Sequence, residues 1–304
     1  MALYRILSLD GGGMRGLITA VLLERMDQAH PGFLNQIDLF AGTSTGGLLA
    51  LGLASGKTTG EARQLYEALG PVVFADTLLD DVGDLGSLIG ADYSIGPLKT
   101  AMEAQYGMLT LGELPKKVLV SAFDLDFQPG DAARPRAWKA KFFHNFPGPD
   151  SDASQSVVDV AIYTSVAPTY FPIYHGFIDG GVVASNPSVC ALAQALHPTT
   201  GGQQLADVVV LSMGTGSNPR YLEVSEGDWG LTQWAPYLVD LMLEGSADLA
   251  EYQCRQILGE RFLRLNPRLP YAIDMDQADQ IPQMIEIASQ FDLSEAFGWL
   301  ERYF

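Results

Sequence analysis

The segment YRILSLDGGGMRGLITAVLLERMDQA, residues 4–29, begins with a short apolar run, continues through a glycine-rich turn and ends in an amphipathic pattern. In the last part, apolar residues recur at helical spacing from Leu17 to Met26, so the segment predicts a strand, a tight turn and a helix. Gly11, Gly13 and Gly16 have the spacing of a dinucleotide-binding fingerprint. A glycine-rich turn before a helix can present its backbone N–H groups to any anion, bound or transient. The segment alone therefore leaves open which anion it serves.

The same alternation of apolar strands and helices continues along the chain. Further strands are predicted over 36–42, 116–126, 137–146, 174–181, 206–216 and 261–265, and further helices over 156–168 and 186–196. Such alternation predicts an α/β fold with a mostly parallel sheet covered on both faces. No shift in composition marks a boundary, so we expect one domain over 1–304, with a motif-bearing core about 4–216 and a mostly helical part about 217–304.

Composition and charge exclude several classes of protein. The 304 residues carry a formal net charge of −18, which opposes non-specific binding to nucleic acid and electrostatic docking on anionic lipid. The chain shows no signal peptide and no apolar run near the roughly 18 residues of a membrane span, so we expect a cytoplasmic protein whose membrane contact, where it occurs, is peripheral and apolar. Two cysteines and four histidines without ligand spacing predict neither disulfides nor a metal site.

A second motif, AGTSTGG at residues 41–47, places Ser44 between Gly42 and Gly46. It follows an apolar strand and opens a helical pattern, which is the setting of a nucleophile elbow. In that turn the residues on either side of the serine must be small, because the strand and the helix lie close to each other there. The alternative interpretation is a serine that only caps a helix.

A third motif, YFPIYHGFIDGGVVASNP at residues 170–187, places Asp179 after an apolar and aromatic run and before Gly180 and Gly181. Partial desolvation in such surroundings would raise the pKa of the carboxyl group toward that of a general base. An ordinary Asp-Gly turn is the alternative. Of the histidines, His175 lies four residues before Asp179 and is a candidate third member of a catalytic triad.

The three motifs in this order, DGGGMRG, GTSTGG and DGG, with SVAPTYFP just before the last, resemble those of the patatin-like phospholipase family over residues 4–216. The resemblance implies a three-layer α/β/α sandwich and the hydrolysis of acyl esters of lipids, without metal or organic cofactor. It also implies a dyad in which Ser44 is the nucleophile and Asp179 the general base. The residues implied for the oxyanion loop are Gly11, Gly12, Gly13 and Arg15.

The sequence therefore predicts a lipid acyl hydrolase of the phospholipase A or lysophospholipase type, with a phospholipid or another lipid ester as substrate. Two alternatives stay open: a nucleotide-binding oxidoreductase that uses the glycine loop, and a non-catalytic module that binds a lipid or a partner. Asp38 lies about 20 residues after the glycine loop, which is the distance of the ribose-binding acid in a dinucleotide site. It is found at the beginning of its predicted strand, however, whereas such an acid must lie at the carboxyl end. Arg15 is expected either to add positive charge beside the oxyanion or to anchor the loop to a carboxylate such as Asp10.

Two stretches are candidates for contact with lipid. Residues 76–96 are acidic, glycine-bearing and weakly periodic, which predicts a loop or lid that includes Leu78, Leu79, Leu85 and Leu88. The aromatic stretch TQWAPYL at 232–238 is the second candidate, although packing of this stretch into the core is favoured.

Overall fold

The computed structural model describes residues 3–74, 91–128, 135–223 and 226–304. Within these ranges the strands are β1 (Tyr4–Leu9), β2 (Leu39–Thr43), β3 (Lys117–Phe127), β4 (Ala137–His144), β5 (Phe177–Asp179), β6 (Val208–Met213) and β7 (Phe262–Leu265). The helices are α1 (Gly16–Ala29), α2 (Thr45–Ala54), α3 (Thr59–Val73), α4 (Gly96–Tyr106), α5 (Val157–Ser165), α6 (Gly181–Ala184), α7 (Ser188–Leu196), α8 (Leu231–Leu258), α9 (Ile281–Gln290) and α10 (Ser294–Tyr303).

The strands form one sheet in the order β4-β3-β2-β1-β6-β7, with β5 also paired to β3. The run from β3 to β7 is parallel, whereas β4 and β5 pair with β3 in antiparallel fashion. The predicted α/β class with a mostly parallel sheet is thus confirmed. β7 pairs with β6, so the C-terminal part contributes a strand to the sheet of the motif-bearing part.

Each face of the sheet packs against helices because successive side chains of a strand point to opposite faces. Leu7 and Leu9 of β1 lie in the larger apolar core, with side chains from α1 to α5, α9 and α10. Ile6 lies in the smaller core on the other face, with side chains from α7 and α8. The central strand β6 is buried along its whole length, as expected for a strand covered on both faces. The three-layer α/β/α sandwich is confirmed.

The pairing register of β3 brings the ends of two strands, β2 and β5, together. β2 pairs with the first half of β3, where Thr43 lies opposite Ser121. β5 pairs with the next part of β3, where Asp179 lies opposite Ala122. β5 therefore continues the line of β2 from the opposite direction, and their carboxyl ends meet at neighbouring positions of β3. This junction places the residue after β2, Ser44, beside Asp179.

Several predicted boundaries differ from those observed. The strand predicted over 36–42 begins only at Leu39, because Phe33–Gln36 form a helical turn. The helix predicted over 186–196 begins at Ser188 and has Pro187 at its N-cap. The Asn186 side chain accepts a hydrogen bond from the Ser188 N–H at 3.0 Å. Most of the predicted lid, including its four leucines, lies outside the described residues.

A search of the described helices for a membrane span finds none of sufficient length and apolarity.

Candidate active site

Ser44 occupies the sharp turn between β2 and α2. Its backbone has φ 53° and ψ −127°, a conformation that L-residues rarely adopt and that costs about 1–3 kcal/mol. The Ser44 N–H donates to Thr164 Oγ1 at 2.7 Å, which ties the turn to α5. The turn holds the serine side chain at the carboxyl edge of the sheet and at the N-terminus of α2, where the helix dipole favours negative charge.

The glycines around Ser44 are required by close backbone contacts. A Cβ atom at Gly42 would lie 2.1 Å from the Gly46 carbonyl oxygen, and one at Gly46 would lie 2.2 Å from the Leu9 carbonyl oxygen. Both neighbours are backbone atoms, so neither can move aside cheaply. The elbow can therefore form only with glycine at these two positions.

We expect Gly42→Ala to destabilise the fold by about 3 kcal/mol or more, because the added methyl group overlaps the backbone of the elbow. Chemical denaturation followed by circular dichroism measures the change in the free energy of unfolding. Gly298→Ala is the matched control, since nothing lies within 4 Å of its Cβ position and alanine favours its helix. Equal stability of the two variants would contradict the close packing of the elbow.

Asp179 ends β5 and is 4 % exposed. Its carboxylate accepts a hydrogen bond from the Gly181 N–H at 2.7 Å. Burial raises the pKa of Asp179 from its ordinary value of 3.8 to about 7, although the neighbouring Ser44 side chain and the Gly181 N–H act to lower it. The ionised and protonated forms of this carboxyl group are therefore both accessible near neutral pH.

Two glycines allow the chain after β5 to lie close to the middle of β3 and to α8. A Cβ atom at Gly180 would lie 2.3 Å from Ser121 Oγ, and one at Gly181 would lie 2.5 Å from a methyl group of Leu243. The predicted glycine turn after Asp179 thus serves the close approach of β3 and α8. Here the Asp-Gly-Gly motif combines turn geometry with a buried, hydrogen-bonded carboxylate.

The glycine loop after β1 lies directly against the elbow. A Cβ atom at Gly11 would lie 3.3 Å from the Ser44 Cβ atom. The Gly11 N–H donates to the Ser185 carbonyl oxygen at 3.0 Å, so it is already engaged. The N–H groups of Gly12 and Gly13 have no acceptor among the described residues. Gly13 has φ +58°, and its Cβ position falls 2.2 Å from the Met275 carbonyl oxygen, so only glycine fits there.

Arg15 fixes the glycine loop through carbonyl groups and not through Asp10. Its guanidinium group donates to the carbonyl oxygens of Gly12 at 3.5 Å and Gly216 at 3.4 Å. Burial lowers the pKa of Arg15, and Glu244 opposes that shift. Anchoring of the loop is thus observed, whereas the predicted partner Asp10 is wrong.

Asp10 instead forms a buried ion pair with Arg264 of β7, and the two side chains are 5 % and 4 % exposed. Glu251 of α8 lies 3.4 Å from the same guanidinium group. Arg264 is a buried charged residue that was not predicted from the sequence. The available signal was the second arginine of RFLRL, which lies between apolar residues, because a charge in a buried strand requires a partner.

Two cavities meet at Ser44. An apolar cavity lies between α2, α3 and α4, and its lining includes Leu48, Leu49, Leu65, Leu69 and Leu98. A polar cleft on the other side is lined by Gly12, Arg15, Asp179, Glu244 and Asp248. Ser44 lines both, so a molecule bound across the serine would have one apolar and one polar end.

The histidines do not complete a triad in the structure. The His175 ring stacks on Tyr174 and lies 3.4 Å from the Tyr163 hydroxyl group through Nδ1. His30 packs against Phe297, and His197 bonds to Thr199. Within the described residues no histidine is hydrogen-bonded to Ser44 or Asp179.

The structure gives no support to a nucleotide site or a metal centre in the described residues. The Asp38 carboxylate accepts from the Arg5 N–H at 2.8 Å, before β2 begins and so at the edge opposite the glycine loop. No cluster of three or more histidine, cysteine or acidic side chains in the described part of the chain is suited to hold a metal ion.

Comparison with known proteins assigns the chain to a family. The family model described as patatin-like phospholipase matches residues 7–189, which include the glycine loop, Ser44 and Asp179. The chain belongs to the patatin-like phospholipase family. Members of this family are lipid hydrolases, so hydrolysis of lipids is the activity that membership indicates.

Relatives of the patatin-like chain include bacterial proteins of similar length. It is 31 % identical to a cGAMP-activated phospholipase of Pseudomonas aeruginosa, over 87 % of this chain and 78 % of that protein. It is 29 % identical to protein teg of Priestia megaterium, over 99 % of both chains. The crystal structure of VipD from Legionella pneumophila is similar with a TM-score of 0.45 and 12 % identity, over 94 % of this chain and 67 % of that one.

The stretch 232–238 lies on the surface and not in the core. It belongs to the first part of α8, where Trp234, Tyr237 and Leu238 are 40 %, 39 % and 41 % exposed. The favoured prediction of core packing is therefore wrong. The exposed side chains continue on the same helix with Leu241 and Met242, which together form an apolar surface beside the polar cleft.

Proposed function

We propose that this protein is a lipid acyl hydrolase of the phospholipase A or lysophospholipase type, with Ser44 as nucleophile and Asp179 as general base. The observation that carries the proposal is that Ser44, in a strained turn at the end of β2, lies beside a buried carboxylate whose pKa is raised to about 7. A base with a pKa near the working pH is partly ionised and can still accept a proton readily. Family membership supports the same chemistry.

In the proposed reaction, Asp179 accepts the Ser44 proton while Ser44 Oγ forms a bond to the carbonyl carbon of the ester. The tetrahedral intermediate collapses, the carbon–oxygen bond to the alcohol breaks, and the alcohol leaves with the proton from Asp179. The resulting acyl-enzyme is attacked by water, which gives its proton to Asp179. Free fatty acid is released and Ser44 recovers its proton.

The negative oxygen of the tetrahedral intermediate needs donors that are free and fixed in place. Gly12 and Gly13 meet both conditions, since their N–H groups have no acceptor among the described residues and their loop is held by Thr215, Met275 and Arg15. Gly11 instead positions the loop, because its N–H is bonded to Ser185. Arg15 holds the Gly12 carbonyl and adds positive charge to the polar cleft.

The two cavities support a lipid ester as substrate. The apolar cavity suits an acyl chain, which would gain roughly 0.8 kcal/mol per buried methylene group on transfer there from water. The polar cleft suits the glycerol backbone or headgroup of the leaving alcohol. The exposed apolar side chains of α8, Trp234, Tyr237, Leu238, Leu241 and Met242, would contact the lipid surface. The net charge of −18 favours neutral or zwitterionic surfaces over anionic ones.

The proposal is tested by incubating the protein with phosphatidylcholine, lysophosphatidylcholine and a triglyceride in mixed micelles without added metal. We expect mass spectrometry to detect free fatty acid from at least one phospholipid, with EDTA causing no loss. Protein carrying Ser44→Ala is the control for contaminating lipases. Release of fatty acid that persists at the same rate in this variant would overturn the proposed function.

A further inference from the structure

The motif SVAPTYFP has no role in the reaction as described so far. It begins at Ser165, the last residue of α5, and Pro168 follows shortly after the end of that helix. Thr164, directly before the motif, and Val166, directly after the helix, are both fully buried. The end of α5 is therefore held rigidly by its surroundings, and what it contacts decides what the motif does.

The end of α5 is hydrogen-bonded to both members of the proposed dyad. The Ser44 N–H donates to Thr164 Oγ1 at 2.7 Å, and the Asp179 N–H donates to the Val166 carbonyl oxygen at 3.0 Å. Both bonds hold the backbone of the residue concerned, so they fix the positions from which the two side chains project. The two acceptors belong to residues only two positions apart, so one short segment sets the spacing of nucleophile and base.

A glycine of the elbow makes the contact with α5 possible. A Cβ atom at Gly47 would lie 2.8 Å from Thr164 Cγ2, so α2 can approach α5 this closely only without a side chain there. Ser44 has φ 53°, and such a conformation persists only where the surrounding structure fixes it. The bond to Thr164 is one of the interactions that fix it.

Packing alone does not explain a hydroxyl group at position 164. The neighbouring residues Ala161 and Ile162 of α5 are fully buried and apolar, and valine has nearly the same shape as threonine. Valine would also avoid the cost of removing a hydroxyl group from water. The hydrogen bond from the Ser44 N–H is what the threonine supplies and valine could not.

We propose that Thr164 is a positioning residue, whose hydroxyl group holds the Ser44 backbone at the distance from Asp179 that proton transfer needs. The inference rests on the proposed hydrolase function and adds to it a residue that acts only through the Ser44 backbone. Transfer of the Ser44 proton requires the two oxygen atoms to approach within about 2.6–3.2 Å. Val166 holds Asp179 from the same segment, so Thr164 sets this distance relative to a fixed base.

Thr164→Val tests the proposal with little change in side-chain volume. A methyl group cannot lie 2.7 Å from the Ser44 nitrogen, because non-bonded contacts of carbon are optimal at about 3.5–4.0 Å, so the turn must move. With p-nitrophenyl octanoate we expect kcat to fall about 10-fold to 100-fold while KM stays within about twofold, since a displacement of about 1 Å can cost about 100-fold. Thr164→Ser keeps the oxygen and should keep kcat within about threefold. Thr164→Val with unchanged kcat would overturn the inference.

Ser156→Ala is the matched control for a purely structural effect. Ser156 lies at the other end of α5, where its hydroxyl group also accepts a backbone N–H, that of Asp159, at 3.4 Å. Loss of this N-cap should lower the melting temperature while kcat, measured well below that temperature, stays the same. A loss of kcat in Ser156→Ala equal to that in Thr164→Val would show that Thr164 only stabilises the helix.

The pH profile gives a readout that a loss of stability would not change. The Ser44 side chain acts to lower the pKa of Asp179, so displacement of Ser44 should raise this pKa above about 7. In Thr164→Val the rate of fluorophosphonate adduct formation should therefore have its inflection at a higher pH than in the unaltered protein. Thr164→Ser and Ser156→Ala should keep the original inflection. The same inflection in all four proteins would contradict a displacement of Ser44.

Amide hydrogen exchange separates this inference from the hydrolase proposal. The Ser44 amide, followed by NMR, should exchange faster in Thr164→Val than in Thr164→Ser or the unaltered protein, because it loses its acceptor. If the unaltered protein cleaves no ester and forms no adduct while this difference is found, the proposed function fails and the anchoring of Ser44 stands. If the unaltered protein is active and Thr164→Val matches it in kcat and exchange, the inference fails and the hydrolase proposal stands.

Discussion

Ser44→Ala is expected to lower ester hydrolysis by about 10⁴-fold or more, because the bond to the acyl group is made by the Ser44 oxygen. The same variant should fail to react with a fluorophosphonate, whereas the unaltered protein gains one adduct. Intact-protein mass spectrometry reads the adduct directly and needs no knowledge of the natural substrate. The fold should survive, because the substitution removes only the Ser44 hydroxyl group, and Ser44 lines the two cavities and does not pack in the core.

Ser55→Ala is the matched control for this experiment. Ser55 follows α2, and its hydroxyl group donates to the Gly52 carbonyl oxygen at 2.7 Å at the other end of that helix. Ser55→Ala should form the fluorophosphonate adduct in the same yield as the unaltered protein. An adduct of equal yield on Ser44→Ala would place the reactive serine elsewhere and would exclude the proposed dyad.

Asp179→Asn is expected to reduce kcat by about 10²–10⁴-fold, because an amide cannot accept the Ser44 proton. In the unaltered protein, kcat/KM should rise with pH through about 7 and then reach a plateau, as Asp179 loses its proton. The pH profile should be measured with a substrate that does not itself titrate between pH 5 and 9. A profile without an inflection near 7, together with full activity of Asp179→Asn, would rule out Asp179 as the base.

The same substitution should stabilise the fold at neutral pH. The pKa of Asp179 is raised in the folded protein, so the unfolded chain loses this proton first as the pH rises above about 4. Stability therefore falls between about pH 4 and 7, and above that range the ionised carboxylate costs up to about 4 kcal/mol. Asparagine removes this cost, and its side-chain oxygen can still accept the hydrogen bond from the Gly181 N–H.

Melting curves measure this effect. Asp179→Asn should melt at a higher temperature than the unaltered protein at pH 8, and the two should converge near about pH 3, where Asp179 is mostly protonated in both the folded and the unfolded protein. Leu243→Ala, which changes packing beside Gly181 without changing a charge, should lower the melting temperature by a similar amount at both pH values. A difference for Asp179→Asn that does not depend on pH would contradict the raised pKa.

The local motifs were predictable from the sequence because each depends on neighbours within a few residues. The strand and the helix predicted within residues 4–29 are present at 4–9 and 16–29, since hydrophobic periodicity indicates both. Gly42 and Gly46 were identified from their spacing around Ser44, which is typical of the tight turn in which Ser44 has a positive φ. The strand predicted over 174–181 is also present, although it spans only Phe177–Asp179 and ends at the carboxylate.

Contacts between distant residues could not be read from local patterns. The partner of Asp10 is Arg264, separated by 254 residues, so the sequence offered only a nearby arginine as candidate. Exposure of the first part of α8 was also mispredicted, because an aromatic stretch packs into a core or remains on the surface depending on what the rest of the chain covers.

The α/β class, the elbow at Ser44 and the carboxylate at Asp179 follow from the sequence alone, since strand, turn and helix patterns are local. That the two groups meet follows only from the fold, because β2 and β5 approach from opposite directions along β3. The fold also explains why the pKa of Asp179 is raised by burial, why the Gly11 N–H is bonded while those of Gly12 and Gly13 have no acceptor among the described residues, and why an apolar cavity reaches Ser44. Burial, pairing and cavity shape depend on segments far apart in the chain, so they follow from packing and not from spacing.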